Sequence, residues 1–249
     1  MIEPPASVAA HMSTELVGKP GSVFLVLSGP GGTGKSSLIR RWRDADPAVG
    51  YVKNVTTRAR RSPDPISGVD DDEFFEFVTR REFHRLVEDG QLAQWVNPQE
   101  GYYSGTPLGP LLDAVAEGRD LIFDYTPQLY LNLQRAFPDQ VVGVFVAPPS
   151  LEVLRDRLAG RGSEDGAKLE LKFAMGAQDL AYVDLHDYHV TNVDLESTLD
   201  TLRSILRAEK ARLRRSPNLA QIYGAMRDPR QMLFYYDPGQ RRISAITEP

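Results

Sequence analysis

The stretch GPGGTGKSS, Gly29 to Ser37, constrains the fold more than any other part of the chain. Its spacing is the G-x-x-x-x-G-K-S of a phosphate-binding loop. Gly29, Gly31, Gly32 and Gly34 let the backbone turn tightly, so that successive N–H groups, that of Thr33 included, face inward as an anion nest. A helix starting near Lys35 adds the positive end of its dipole. The loop is therefore read as the seat of a nucleotide triphosphate. Lys35 reaches its outer phosphates, Ser36 ligates Mg²⁺, and Ser37 completes the first helical turn. The flanks support this reading. Ser22 to Ser28, SVFLVLS, has the composition of a buried strand, and Ser37 to Asp44, SLIRRWRD, that of a helix.

Beyond the loop, apolar runs alternate with helical patterns. Strands are expected at 22–28, 50–56, 121–125, 141–147 and 187–191, and helices at 35–45, 107–118, 127–137, 150–160, 168–184 and 195–214. This alternation predicts an α/β fold, a parallel five-stranded sheet with helices on both faces and the ligand at the carboxyl ends of the strands. Residues 54–105 interrupt it with FFEFV, LAQWV and the helix TRREFHRLVEDG, and so read as a small mixed α/β insert. The polar, Gly-rich GRGSEDGAK opens a segment, 160–172, that reads as a mobile lid. Residues 1–20 read as a disordered tail. Residues 216–249 read as an extension in which MLFYY and RRISAI form a hairpin about DPGQ. Packing on its own chain is the simpler role for that hairpin. A homodimer contact through Phe234, Tyr235 and Tyr236 is the alternative.

Composition narrows the partners. A net charge of −5 argues against a general nucleic-acid binder. The chain has no cysteine, which excludes disulfides and thiolate metal sites. No apolar run approaches the roughly 20 residues that span a bilayer, and the start lacks the pattern of a signal peptide, so a cytoplasmic protein without a membrane partner is expected. His186 and His189 could share a metal only with further ligands, and none cluster near them in the sequence.

A phosphate loop does not say where the phosphate goes, and three segments argue for a second, acceptor site. VTTRARR, 55–61, crowds arginines just after a strand, and guanidinium forks suit phosphate oxygens. GYYSGT, 101–106, can place a phenol on a phosphate. The lid with Arg157 and Arg161 could close over a transferring phosphoryl group. Asp124 ends the apolar strand LIFDY, where a carboxylate can orient Mg²⁺ and its waters.

With these residues the chain resembles the guanylate kinases from about residue 22 to about 210. The resemblance is carried, in order, by GPGGTGKSSL, VTTRARR, SGVDDDEFFEFV, REFHRLVEDGQLAQWV, GYYSGT, EGRDLIFDY, FVAPPSLEVLRDRLAGRGSE and VTNVDLESTLDTLRSIL. It implies the P-loop kinase fold and transfer of the ATP γ-phosphate to GMP with Mg²⁺. By position it implies that Arg58 and Arg61 grip the acceptor phosphate, and that Tyr103 or Tyr102 joins them, the extra Ser104 leaving the register open. It further implies that Arg157 and Arg161 reach the transferring phosphate and that Asn192 lies near the adenine.

The chain departs from the family at the positions that read the base. Gln94 stands where the family has glutamate, Thr126 where it has aspartate, and Asn54 where it has serine. Phe75 replaces a tyrosine, with Asp71, Asp72 and Glu73 before it, and Lys172 replaces a lid arginine. An amide accepts with its oxygen alone and brings its own donors, whereas a carboxylate takes two N–H groups. Three readings stay open on the sequence: a kinase of GMP, a kinase of the same fold for a modified nucleotide or a ribose bisphosphate, and a non-enzymatic binding module.

Overall fold

The structure is a computed structural model that describes residues 21–60, 70–97, 101–160, 166–212, 215, 233–237, 239 and 242–246. Five parallel strands form the central sheet, in the order β2 (Gly50–Tyr51), β7 (Leu121–Tyr125), β1 (Phe24–Ser28), β8 (Val141–Ala147) and β9 (Tyr188–Thr191). All five residues of β1 are buried, so it reads as a continuous apolar run. Its pleat still sorts them. Leu25 and Leu27 pack with Leu38, Ile39 and Trp42 of α1 (Lys35–Ala45) and Leu199 and Leu202 of α8 (Leu195–Lys210). Phe24 and Val26 pack on the other face, with Leu111 of α4 (Gly109–Glu117) and Tyr130 and Leu133 of α5 (Pro127–Ala136). The helices thus cover both faces of the sheet.

A second sheet of four strands holds β3 (Asn54–Thr56), β4 (Phe75–Phe77), β5 (Leu92–Val96) and β6 (Ser104–Pro107), in the order β4-β3-β6-β5. The sequence predicts a single strand over 50–56, and the structure divides it. Gly50 and Tyr51 pair with β7, whereas Asn54 to Thr56 pair with β4 and β6. Val52 and Lys53 carry the chain from one sheet to the next, Val52 burying in the core and Lys53 Nζ donating to Asp72 O at 2.6 Å. One face of the small sheet carries α3 (Arg80–Glu88), which Thr79 and Glu82 start with a capping box. Those hydrogen bonds from Thr79 hold the Glu82 carboxyl below its ordinary pKa. Before β4 lies α2 (Asp71–Phe74), a single turn opened by a capping box between Asp70 and Glu73.

After β8, α6 (Leu151–Ala159) begins at Ser150, whose hydroxyl accepts from Val153 N at 3.2 Å. The helix predicted over 168–184 begins earlier and ends earlier, as α7 (Gly166–Asp179) followed by a 3-10 turn, Leu180–Leu185. The 166–172 part of the expected lid is therefore already helical; Arg161, with 161–165, lies outside the described residues. Residues 1–20 also lie outside them.

α8 stops at Lys210, and the chain closes on a buried clasp. Arg215 Nη2 lies 3.3 Å from Glu209 Oε2, both side chains being 1% exposed. Arg215 also donates to the carbonyls of Ser22 and Gln140 at 3.3 Å, and Tyr188 donates to Glu209 at 2.7 Å. In a separate unit, β10 (Leu233–Asp237) and β11 (Arg242–Ile246) pair antiparallel, Tyr235 opposite Ser244. The contact surface expected of Phe234, Tyr235 and Tyr236 lies outside the described side chains. Among the described residues no helix is long and apolar enough to cross a membrane.

Removing one member of a buried ion pair strands the other charge. Arg215→Ala is expected to cost about 3 kcal/mol, less than a full isolation of Glu209 because Tyr188 and Arg212 remain. Urea unfolding measures it, and a loss under about 1 kcal/mol would contradict the clasp.

Candidate active site

The loop between β1 and α1 has the geometry its glycines predict. Gly29 has φ +125° and Gly34 φ +90°, both in the left-handed region that favours glycine. A Cβ on Gly29 would stand 2.6 Å from the Val146 carbonyl, and one on Gly34 2.6 Å from Asn192 Nδ2. Gly31 by contrast meets nothing within 4 Å among the described residues. Gly32 rests on Leu158 of α6. The loop is thus clamped on its inner side and open on the other, the form of a cradle for phosphates. Lys35 Nζ curls over it, donating to the carbonyls of Gly29 at 2.8 Å and Pro30 at 2.9 Å.

Two carboxylates balance that ammonium. Asp124 Oδ1 lies 3.7 Å from Lys35 Nζ, and Asp124 Oδ2 accepts from Ser36 Oγ at 2.8 Å. Asp179, at the end of α7, is the second: burial pushes its carboxyl pKa up, and the charge of Lys35 draws it back. The hydroxyl of Ser36 and the carboxylate of Asp124 make a pair of hard oxygen donors beside the loop. That set suits Mg²⁺, which takes one or two protein oxygens and completes its shell with water and phosphate. Ser37 lies half-buried in the same first turn.

The Asn192 side chain is taken up within the protein. Nδ2 donates to Thr33 O at 2.7 Å and Oδ1 accepts from Thr198 at 3.1 Å, with the residue 4% exposed. Thr33 turns inward as well, its hydroxyl donating to Pro30 O at 2.9 Å, so only its backbone can serve a phosphate. Both side chains brace the loop. Arg157 of α6 adds to this brace, donating to the Asn192 carbonyl at 3.1 Å.

The acceptor side gathers on one face of the small sheet. Tyr125, the next residue after Asp124, sends its hydroxyl into a buried network. It donates to Thr106 Oγ1 at 2.7 Å, and Thr106 donates to Asn54 Oδ1 at 2.9 Å. Burial raises the Tyr125 pKa well above the tyrosine range, so the phenol stays protonated. Gln94 Nε2 makes a long contact of 3.5 Å to Thr106 Oγ1. Its Oε1 is buried and has no hydrogen-bond partner among the described residues. A buried orphan acceptor costs free energy unless a ligand supplies the donor, and a nucleobase N–H fits that need. Thr126 does not join this group. It is exposed at the N-terminus of α5, outside the network that holds Asn54 and Gln94.

Arg58 Nη2 lies 3.0 Å from Asp71 Oδ2, and its guanidinium lies 5.0 Å over the ring of Phe75. Arg61 lies outside the described residues. Tyr103 stands just before β6. Its ring stacks on Phe83 of α3 at 5.3 Å and meets His84 edge-on at 5.2 Å, on the face opposite Thr106. Ser104 shares the face of Thr106 by strand alternation; Tyr102 is half-buried just before the strand.

A family model described as guanylate kinase matches residues 22–209. The chain belongs to the guanylate kinase family. The guanylate kinase of Maricaulis maris is 34% identical over 209 residues, which cover 84% of this chain and 93% of that protein. The guanylate kinase of Desulfitobacterium hafniense is 36% identical over 199 residues, 80% of this chain and 96% of that protein. A crystal structure of guanylate kinase from Anaplasma phagocytophilum superposes with a TM-score of 0.67 at 24% identity, covering 85% of this chain and 97% of that one, a likeness of fold. Membership makes the chain a nucleoside monophosphate kinase, with ATP as co-substrate.

Thr106, Tyr125 and Asp179 are absent from the sequence-based set. Thr106 and Tyr125 end the segments GYYSGT and LIFDY, but nothing local in the sequence tells that their hydroxyls meet, and an Asp ending a helix carries no local signal. If Asn192 braces the loop, Asn192→Ala is expected to weaken ATP·Mg²⁺ binding about tenfold, near the worth of one buried hydrogen bond, without unfolding the chain. Calorimetric titration checks this, and an unchanged affinity would contradict it.

Proposed function

We propose that the chain transfers the γ-phosphate of ATP to GMP, forming ADP and GDP. One observation carries the reading. Consecutive residues of β7 serve two sites: Asp124 turns to Ser36 and the phosphate loop, and Tyr125 turns to the Asn54, Thr106 and Gln94 pocket. This supports a donor site and an acceptor site that share one strand. The names of the relatives support GMP as the acceptor.

In this reading the backbone N–H groups of Gly31 to Ser36 cradle the phosphates of ATP, and Lys35 moves from the loop carbonyls to the β and γ oxygens. Ser36 and Asp124 would hold Mg²⁺, directly or through its waters, and the bound ion would offset the charge on the phosphates. Arg58, with Arg61, orients the acceptor phosphate. Arg157, with Arg161 on the lid 160–172, adds positive charge where the phosphoryl group passes. Gln94 Oε1 accepts an N–H of guanine, held in place by the Thr106–Tyr125 network. The reaction then needs positioning and charge neutralisation, with no covalent intermediate on the enzyme. The reading places the enzyme in the cytoplasm, with its nucleotides as the partners it requires.

Release of ADP from ATP·Mg²⁺, measured against GMP, dGMP, AMP, CMP, UMP, IMP and ribose 1,5-bisphosphate, tests the acceptor. GMP is expected to turn over fastest, and preference for another member would overturn the assignment. Lys35→Ala is expected to lower kcat about a thousandfold or more with the fold intact. Gln94→Glu offers guanine a charged acceptor for two N–H groups, and its KM for GMP is expected to fall about tenfold. An unchanged or raised KM would show that position 94 does not read the base.

A further inference from the structure

Arg58 already holds an anion. Its ion pair with Asp71 is 3.0 Å long, and the two side chains are only 9% and 16% exposed. Phe75 closes one face of the guanidinium, 5.0 Å away. Asp71 is also held firmly. It opens α2, whose N-terminal capping box between Asp70 and Glu73 has both of its hydrogen bonds. Surrounding cations pin that turn: Lys53 Nζ donates to Asp72 O at 2.6 Å, Arg60 pairs with Asp72 at 3.0 Å while lying over Phe77 at 4.5 Å, and Arg40 lies 3.9 Å from Glu73. A carboxylate and a phosphate present similar oxygen pairs to a guanidinium fork.

We propose that Asp71 is an internal counter-ion that occupies, on Arg58, the place the acceptor phosphate takes, so that acceptor binding exchanges one anion for another. The inference rests on the acceptor-phosphate role given to Arg58 above. It follows from the burial of the pair. A largely desolvated guanidinium left without an anion is costly, so a carboxylate that stays on Arg58 until the acceptor arrives stabilises the unliganded site and weakens the net binding of the acceptor. The exchange also selects. A nucleoside without a phosphate offers nothing to replace Asp71, whereas a phosphomonoester brings more charge than the carboxylate it displaces. Asp71 is in this sense a specificity-determining residue that acts through Arg58. The run of acids before Phe75 supplies it.

Asp71→Asn keeps the shape and removes the charge. Inorganic phosphate is titrated onto ADP-saturated protein, whose phosphate loop is filled, and followed at the Arg58 Nε–H resonance, assigned by its loss in Arg58→Lys. The variant is expected to bind phosphate about fivefold to fiftyfold more tightly than the wild type. Its KM for GMP is expected to fall by a similar factor while kcat moves by less than about twofold. Asp72→Asn removes an exposed charge one residue away and is expected to change either value by less than about twofold. Unchanged phosphate affinity in Asp71→Asn overturns the proposal. Weaker affinity overturns it too, because Asp71 would then align Arg58 rather than compete for it. If Asp71→Asn fails to fold, Asp71→Ser is read by the same criteria. If the wild type does not phosphorylate GMP, the functional reading fails, and the phosphate titration still decides the counter-ion.

Discussion

A 2.8 Å hydrogen bond from Ser36 to Asp124 joins the first turn of α1 to β7, and the rest of the site is arranged around it. It fixes the end of the phosphate loop to the carboxyl end of a buried strand beside the central one. The same strand, one residue later, sends Tyr125 into the acceptor pocket. Neighbouring residues of a strand face opposite ways and are separated by about 3.3 Å of rise. In the proposed reading, donor and acceptor sites are therefore set relative to each other by one pleat rather than by the packing of two mobile parts. A reaction that depends on in-line placement of two phosphates benefits from such a short and rigid link.

Charge is the second organising theme. Two of the described cations assigned to phosphate meet a carboxylate: Lys35 has Asp124 within 3.7 Å and feels Asp179, and Arg58 has Asp71, whereas Arg157 donates to the carbonyl of Asn192. Arg60, beside them, has Asp72. A site built to collect the negative charge of two nucleotides would otherwise concentrate positive charge in a partly desolvated cleft. The acids offset that cost, and each is a group with which a phosphate must compete. In the role proposed for it, the neutral amide of Gln94 reads a base without adding a buried charge.

The phosphate loop is legible in the sequence because its signal is local: glycine positions, the lysine, and the strand and helix on either side. The sheet is legible because buried parallel strands are continuous apolar runs. What sequence reading misses depends on distant partners. The run GYVKNVT looks like one strand, yet Gly50 and Asn54 pair in different sheets. Asn192 braces Thr33 across 159 positions of sequence, which no local pattern announces. The Tyr103 ring packs on Phe83 and His84 of α3, a contact that the spacing of GYYSGT does not announce. Thr126 lies one residue beyond Tyr125, and a helix start turns it to solvent.

The central claim is direct transfer from the loop's nucleotide to GMP. ATP labelled in its γ-phosphoryl group, mixed with GMP, Mg²⁺ and the protein, tests it in one experiment. The label is predicted in the β-phosphate of GDP, one for each ADP formed, with little inorganic phosphate released. Label found in inorganic phosphate, with GMP unchanged, would contradict the account and make the acceptor pocket a site for something other than the phosphorylated nucleotide.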